Sequence, residues 1–229
     1  SRDEFPSASF ARLDRNGDGF LSQEEVGSPA DVASVANVPS VVDRDLPYRD
    51  DLPGVDPRRV SLDIHRPAAA DGGPRPVLVM IHGGGWRAGD KAAGGVVAPK
   101  APWLIAEGWI MVSVNYRLSP AVQHPAHVDD VAHAIAWVGR EIGRFGGDPE
   151  RLVLMGHSAG GHLAALAAAD AERLRAAGGR PESIRGVVLL DGAGYDIPLR
   201  MRNAGAASRS LFTNAFGSDP DGWADASPA

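Results

Sequence analysis

The stretch at residues 151–161, RLVLMGHSAGG, constrains this chain more than any other. An apolar run, Leu152, Val153, Leu154 and Met155, meets Gly156-His157-Ser158-Ala159-Gly160, and an alanine-rich stretch follows at once. That order predicts a strand, a sharp turn and a helix, with a serine at the apex. Glycines flank the serine because a side chain at either place would strike the neighbouring helix or strand. The hydroxyl is thereby held at the carboxyl end of a sheet, near the positive end of a helix dipole. A chance Gly/Ser-rich turn requires neither the strand before it nor the helix after it.

A second motif narrows the chemistry. Pro76-Val77-Leu78-Val79-Met80-Ile81 is apolar without alternation, as in a parallel strand covered on both faces. It runs into His82-Gly83-Gly84-Gly85-Trp86. Consecutive glycines leave backbone N–H groups free and let a ligand approach closely. Acyl transfer needs donors aimed at the oxygen that becomes negative in the tetrahedral intermediate. The expected donors are the N–H groups of Gly83 and Gly84, with that of Ala159 just after the serine. A phosphate-cradling loop would end in Gly-Lys-Ser/Thr on the first strand–helix turn, and neither feature is here. His82, Trp86 and His157 are candidates for lining a substrate pocket. Each has a plainer use: His82 bonding the glycine loop, Trp86 as a core aromatic, His157 packing beside the turn.

On these residues the chain resembles the α/β-hydrolases of the carboxylesterase kind, close to bacterial esterase/lipase and arylformamidase-like proteins. The resemblance is carried by 82–86 with Arg87, Gly89, Asp90 and Lys91, by Asn115-Tyr116-Arg117-Leu118-Ser119, by residues 125–130, and by Gly156 to His162. It extends from about Tyr48 to the last residue. It implies a Ser–Asp–His triad, ester cleavage through an acyl-enzyme on Ser158, and no cofactor for that chemistry. An arylformamidase or amidase with the same triad is the alternative within enzymes.

The chain departs from that pattern in one respect. The triad of this fold runs serine, acid, histidine along the chain. The histidines are His65, His82, His124, His127, His133, His157 and His162, and none lies beyond His162. The resembling proteins continue into two more strands that carry the acid and the histidine. The expectation is therefore a hydrolase domain lacking its last part, inactive or weak by itself, because a serine without a base is a poor nucleophile near pH 7. Asp191 and Asp196, after the apolar run 187–190, are alternative acids; as ordinary residues they are turn and cap positions. Asp129 and Asp130 are expected to cap a helix or support a loop. A catalytically dead, calcium-dependent binding module is the reading from a different class.

Calcium enters through the first residues. Asp14-Arg15-Asn16-Gly17-Asp18-Gly19-Phe20-Leu21-Ser22-Gln23-Glu24-Glu25 fits the twelve-residue EF-hand loop. Asp14, Asn16 and Asp18 take positions 1, 3 and 5, and Gly19 takes the sharp turn at position 6. Phe20 offers its carbonyl, Ser22 stands at position 9, and Glu25 is the bidentate ligand at position 12. An Asp/Asn/Gly-rich surface turn is the plainer alternative.

The domains expected are an EF-hand segment at 1–28, a linker at 29–40 and the hydrolase domain at 41–229. Strands are expected at 77–81, 110–115, 152–156 and 186–190. Helices are expected at 95–107, 126–143 and 160–177, giving an α/β fold with a mostly parallel sheet and helices on both faces. Val60, Leu62 and Ile64 alternate with Ser61, Asp63 and His65, which predicts a half-exposed strand near the sheet edge. The tail after Asp196 reads as loop and short helix. With 44% hydrophobic residues the chain buries a proper core. Its net charge of −6 and lack of a Lys/Arg run give nucleic-acid binding no support. No apolar run approaches the ~18 residues of a membrane span. Without cysteine, thiolate chemistry is excluded. The scarcity of calcium in cytoplasm tilts the expected location weakly toward export.

Overall fold

The apolar runs of the chain become the strands of one six-stranded sheet in a computed structural model that describes residues 38–69 and 72–228. The strands are β1 (Ser40–Pro47), β2 (Ser61–Pro67), β3 (Arg75–Ile81), β4 (Ile110–Val114), β5 (Gly147–His157) and β6 (Ile184–Leu190), in spatial order β1-β2-β4-β3-β5-β6. β4, β3, β5 and β6 run parallel, and β1 and β2 add an antiparallel edge. Ile81 pairs with Gly156, so β3 and β5 end side by side. The glycine loop and the serine turn thus emerge next to each other at the carboxyl ends of central strands.

Helices cover both faces. On one lie α1 (Gly94–Val97) and α2 (Ala101–Ala106), where Ala101 and Leu104 pack on Leu78, Met80, Met111 and Val153. On the other lie α3 (Ala126–Glu141), α4 (Ala159–Ala169) and α5 (Ala171–Ala176), then α6 (Ile197–Asn203), α7 (Ala206–Phe216) and α8 (Asp221–Asp225). Val128, Val131, Ile135 and Val138 recur at helical spacing on α3 and join Val77, Val79, Val112 and Leu154 in the larger core. This is the α/β architecture, mixed but mostly parallel, that the strand–helix alternation implied.

Several local expectations are corrected. The strand at 60–65 is not half-exposed: Leu62 and Ile64 are fully buried, and Ser61, Asp63 and His65 on its other face are buried as well. β2 lies second from the edge, and specific partners satisfy part of its polar face. Lys91 Nζ donates to Asp63 Oδ1 at 2.5 Å, and Ser61 Oγ donates to the Arg58 carbonyl at 2.8 Å. The helix expected at 95–107 is two short ones separated by a turn at 98–100. The helix expected at 160–177 breaks at Asp170, whose carboxylate leaves helical geometry to accept from Arg173 N and cap α5. The tail after Asp196 is richer in helix than expected, with α6 capped by Asp196 accepting from Leu199 N. β1 had no expected counterpart. The EF-hand loop, Asp14 to Glu25, falls outside the described residues. Among those that are described, no helix is long and apolar enough to cross a membrane. β6 closes the far side of the sheet with Val187, Leu189 and Leu190 exposed.

Candidate active site

β5 hands the chain to α4 through Ser158, whose φ of 52° and ψ of −119° lie in a region that L-residues rarely adopt. Such strain is held only when the surroundings over-determine it. Here Ser158 N–H donates to Leu190 O at 2.9 Å, and Ser158 O accepts from His162 N at 3.2 Å. The flanking glycines are demanded by packing. A Cβ on Gly156 would sit 2.1 Å from Gly160 O, and one on Gly160 2.2 Å from Ile81 O. Ser158 is half-buried, and His157 beside it is exposed.

The glycine loop lies against this turn. A Cβ on Gly83 would fall 2.7 Å from His157 O and 3.3 Å from Ser158 Cβ. Gly83 is therefore immediately beside the nucleophile candidate, as the oxyanion assignment requires. Gly84 turns at φ +117° and Gly85 at φ +60°, and a Cβ on Gly84 would collide with Ala88 O at 2.0 Å. Among the described residues, no backbone or side-chain acceptor takes the Gly83 or Gly84 N–H. Ala159 is the first residue of α4, so its N–H has no acceptor within the helix. Three backbone N–H groups, on Gly83, Gly84 and Ala159, are thus left without a backbone acceptor among the described residues.

Both ends of the loop are fixed. At the near end His82 stacks on Tyr116 with ring centroids 4.5 Å apart. Tyr116 Oη donates to His82 O at 2.9 Å, and His82 Nδ1–H donates to Gly83 O at 2.8 Å. Burial pushes the His82 imidazole below its ordinary pKa, so it is neutral near pH 7. At the far end Lys91 N–H donates to Asn115 Oδ1 at 2.7 Å. The Lys91 ammonium is buried between Asp63 and Asp45, at 2.5 and 2.6 Å. Asn115 is held in turn by Tyr48 Oη, which donates to its carbonyl at 2.9 Å.

Trp86 points inward and is 1% exposed. Its Nε1–H donates to His162 Nδ1 at 3.2 Å, and His162 Nε2–H donates to Ala226 O at 2.7 Å. Phe212 and Phe216 of α7 pack on the indole at 5.6 and 4.9 Å between centroids. Burial lowers the His162 pKa to about 4. A neutral ring with both nitrogens engaged has no lone pair left for the serine. None of the seven imidazoles forms a hydrogen bond with Ser158 Oγ. Asp196 is occupied as the α6 cap, and Asp191 is an exposed turn residue at φ 47°. Asp130 is fully buried between Arg117 and Arg49, and Asp129 pairs with Arg173 at 2.6 Å, both supporting loops and helices.

The structure thus brings Gly83 against the turn that carries Ser158 and Ala159. It places His82 and Trp86 in the wall behind the loop and His157 at the surface. Sequence reasoning missed the clamp by Lys91 and Asp63 and the tie from Trp86 to His162. The signal for the first was a lysine at the end of the glycine loop facing an acidic residue in an otherwise apolar strand. The second leaves no local trace.

In sequence and overall fold the chain is similar to known proteins. Residues 62–184 match the model of the family described as BD-FAE. Esterase LipQ of Mycobacterium tuberculosis is 39% identical over 151 residues, covering 65% of this chain and 35% of that protein. Esterase LipC of the same organism is 35% identical over 186 residues, covering 77% and 45%. The chain spans less than half the length of these two relatives. Esterase B from Lactobacillus rhamnosis shares the fold, with a TM-score of 0.67 at 24% identity over 87% of this chain and 66% of that one.

Proposed function

From the premise that the chain belongs to the BD-FAE family of α/β-hydrolase esterases, we propose that it is the nucleophile-bearing part of a carboxylic ester hydrolase. The observation that carries this reading is the close approach of Gly83 to the Ser158 turn, together with Gly83 and Gly84 N–H groups that no acceptor takes among the described residues. In the proposed reaction Ser158 Oγ attacks the ester carbonyl carbon and its proton passes to a base. The carbonyl oxygen takes the negative charge, and the N–H groups of Gly83, Gly84 and Ala159 receive it. Collapse expels the alcohol and leaves an acyl-serine, which water then cleaves by the same route. Preorganised donors of this kind contribute on the order of 10²–10³ in rate each.

We assign the base and its supporting carboxylate to residues outside these 229, because none of the seven imidazoles hydrogen-bonds Ser158 Oγ. The edge strand β6, next to the strand that carries Ser158, supports this with the exposed side chains of Val187, Leu189 and Leu190. Formamide or amide cleavage would use the same groups and is separated by substrate comparison. His82 and Trp86 shape the glycine loop in this reading, and His157 borders the substrate cleft. We further assign one Ca²⁺ to the loop ligands Asp14, Asn16, Asp18, Phe20 O, Ser22 and Glu25. Calorimetric titration with Ca²⁺ should show one site, lost in Glu25→Gln; binding that survives this change removes the assignment.

The reading is tested by hydrolysis of a short-chain p-nitrophenyl ester by this chain, its Ser158→Ala variant and the complete gene product. Turnover by the complete gene product that requires Ser158, with only residual turnover by the 229 residues, is expected. Turnover that survives Ser158→Ala would overturn the nucleophile. Equal turnover by the 229 residues would overturn the placement of the base.

A further inference from the structure

Among the described residues four non-glycine positions have a positive φ: Asp45, Trp86, Ser158 and Asp191. Three belong to the proposed site or its border. Trp86 is in the glycine loop, Ser158 is at the turn, and Asp191 follows Leu190, whose carbonyl accepts from Ser158 N–H. Asp45 lies elsewhere, on the edge strand β1, where the pairing with β2 shifts between Asp43 and Leu46. A bulge re-aims a side chain, and a left-handed backbone at a non-glycine residue is kept only where its surroundings hold it. Here two bonds hold it. Asp45 N–H donates to Asp63 Oδ1 at 2.8 Å, and the Asp45 carboxylate accepts from Lys91 Nζ at 2.6 Å.

Fold stability alone does not call for this arrangement. The side chains of Lys91 and Asp63 are each 1% exposed. Desolvating such a pair costs about what its attraction returns, and apolar side chains of similar size often serve a fold as well. What the pair holds is the returning limb of the glycine loop. Arg87 and Ala88 N–H donate to Gly84 O at 3.2 and 3.1 Å. A Cβ on Gly89 would strike His82 Nδ1 and Gly83 O. Lys91, two residues further on, thus anchors the limb against which Gly83 and Gly84 rest. We propose that Asp45, Lys91 and Asp63 form a positioning site for the oxyanion loop, in which the antiparallel edge of the sheet fixes, through Lys91, where the Gly83 and Gly84 N–H groups lie. Lys91 is too buried to meet a substrate and acts through the loop backbone. The role rests on the reading of Ser158 as the nucleophile.

The test uses the complete gene product and compares kcat per site titrated with a fluorophosphonate, KM and the urea midpoint. It also follows the ¹⁵N-glycine amide signals, with those of Gly83 and Gly84 identified by their loss on substitution with alanine. Lys91→Met leaves Asp63 buried without its partner and should lower both midpoint and kcat. Lys91→Met combined with Asp63→Asn removes both charges. The midpoint should then recover while kcat stays about 10–10²-fold down, with KM within about twofold, as expected for a loop displaced by about 1 Å. Asp45→Gly suits the left-handed backbone, so the midpoint should hold while kcat falls about threefold. The Gly83 and Gly84 signals should move in each variant. Recovery of kcat together with the midpoint in the double variant would make the pair merely structural and overturns the proposal. Unmoved Gly83 and Gly84 signals overturn it too. Should the double variant fail to fold, Asp45→Gly decides by the same readouts. Turnover that does not need Ser158 overturns the esterase reading instead, and the glycine signals then decide the positioning.

Discussion

At Gly83 a single hydrogen atom decides whether the glycine loop and the serine turn can meet. A methyl group there would press on His157 O at 2.7 Å and on Ser158 Cβ at 3.3 Å, so loop and turn would have to part. Displacement of about 1 Å in such a site costs on the order of 10² in rate. Gly83→Ala in the complete gene product should therefore lower kcat about 10²-fold with KM little changed, as steady-state kinetics would show. His162 acts at the same scale on stability. Its folded pKa, about 4, lies below the ordinary value of 6.5, and burial of His127 lowers that residue to about 3. Below pH 6.5 the unfolded chain gains protons at these positions that the folded chain refuses. Stability is thus full above pH 6.5 and falls as pH drops toward 4 and 3, by roughly 3 kcal/mol for His162 alone. Thermal melting should show this decline, and His162→Gln should shorten it by one proton. The glycines and the serine were legible in the sequence because their demands are local. The state of His162 was not, because its partners, Trp86 and Ala226, lie 76 and 64 residues away.

α7 owes its position to the indole of Trp86, with Phe212 and Phe216 against its faces and Leu211 on Gly85. The helix therefore backs the glycine loop, although its own sequence, AASRSLFTNAF, reads as a mediocre amphipathic segment. Trp86→Phe keeps an aromatic ring against Phe212 and Phe216 but leaves His162 Nδ1 without its donor. The expected cost is about 1–3 kcal/mol in urea unfolding, which is the penalty of an unsatisfied buried acceptor. A cost near zero would mean that the hydrogen bond contributes nothing to the loop. β2 shows why elements can mislead. Its alternation of apolar and polar residues is the ordinary mark of one wet face. The polar face is instead dry, because Lys91 arrives from the glycine loop to pair with Asp63. Helix breaks at Asp170 and at 98–100 were missed for a similar reason: a cap or turn uses few residues, and apolar spacing runs through it.

The whole molecule follows from parallel strands that end together. Register between β3 and β5 brings the glycine loop and the serine turn to one edge, and helices on both faces hold that edge still. Strand–helix alternation made this layering legible. The antiparallel edge was not, since β1 pairs through β2 with no run of its own that stands out from linker composition. Central to the account is a single activated serine within a preformed set of oxyanion donors. Treatment of the complete gene product with a fluorophosphonate, followed by peptide mass spectrometry, tests it most directly. One adduct on Ser158, absent from Ser158→Ala and formed about 10²-fold more slowly in Gly83→Ala, is the expected result. An adduct on any other residue, or labelling that persists in Ser158→Ala, would contradict it.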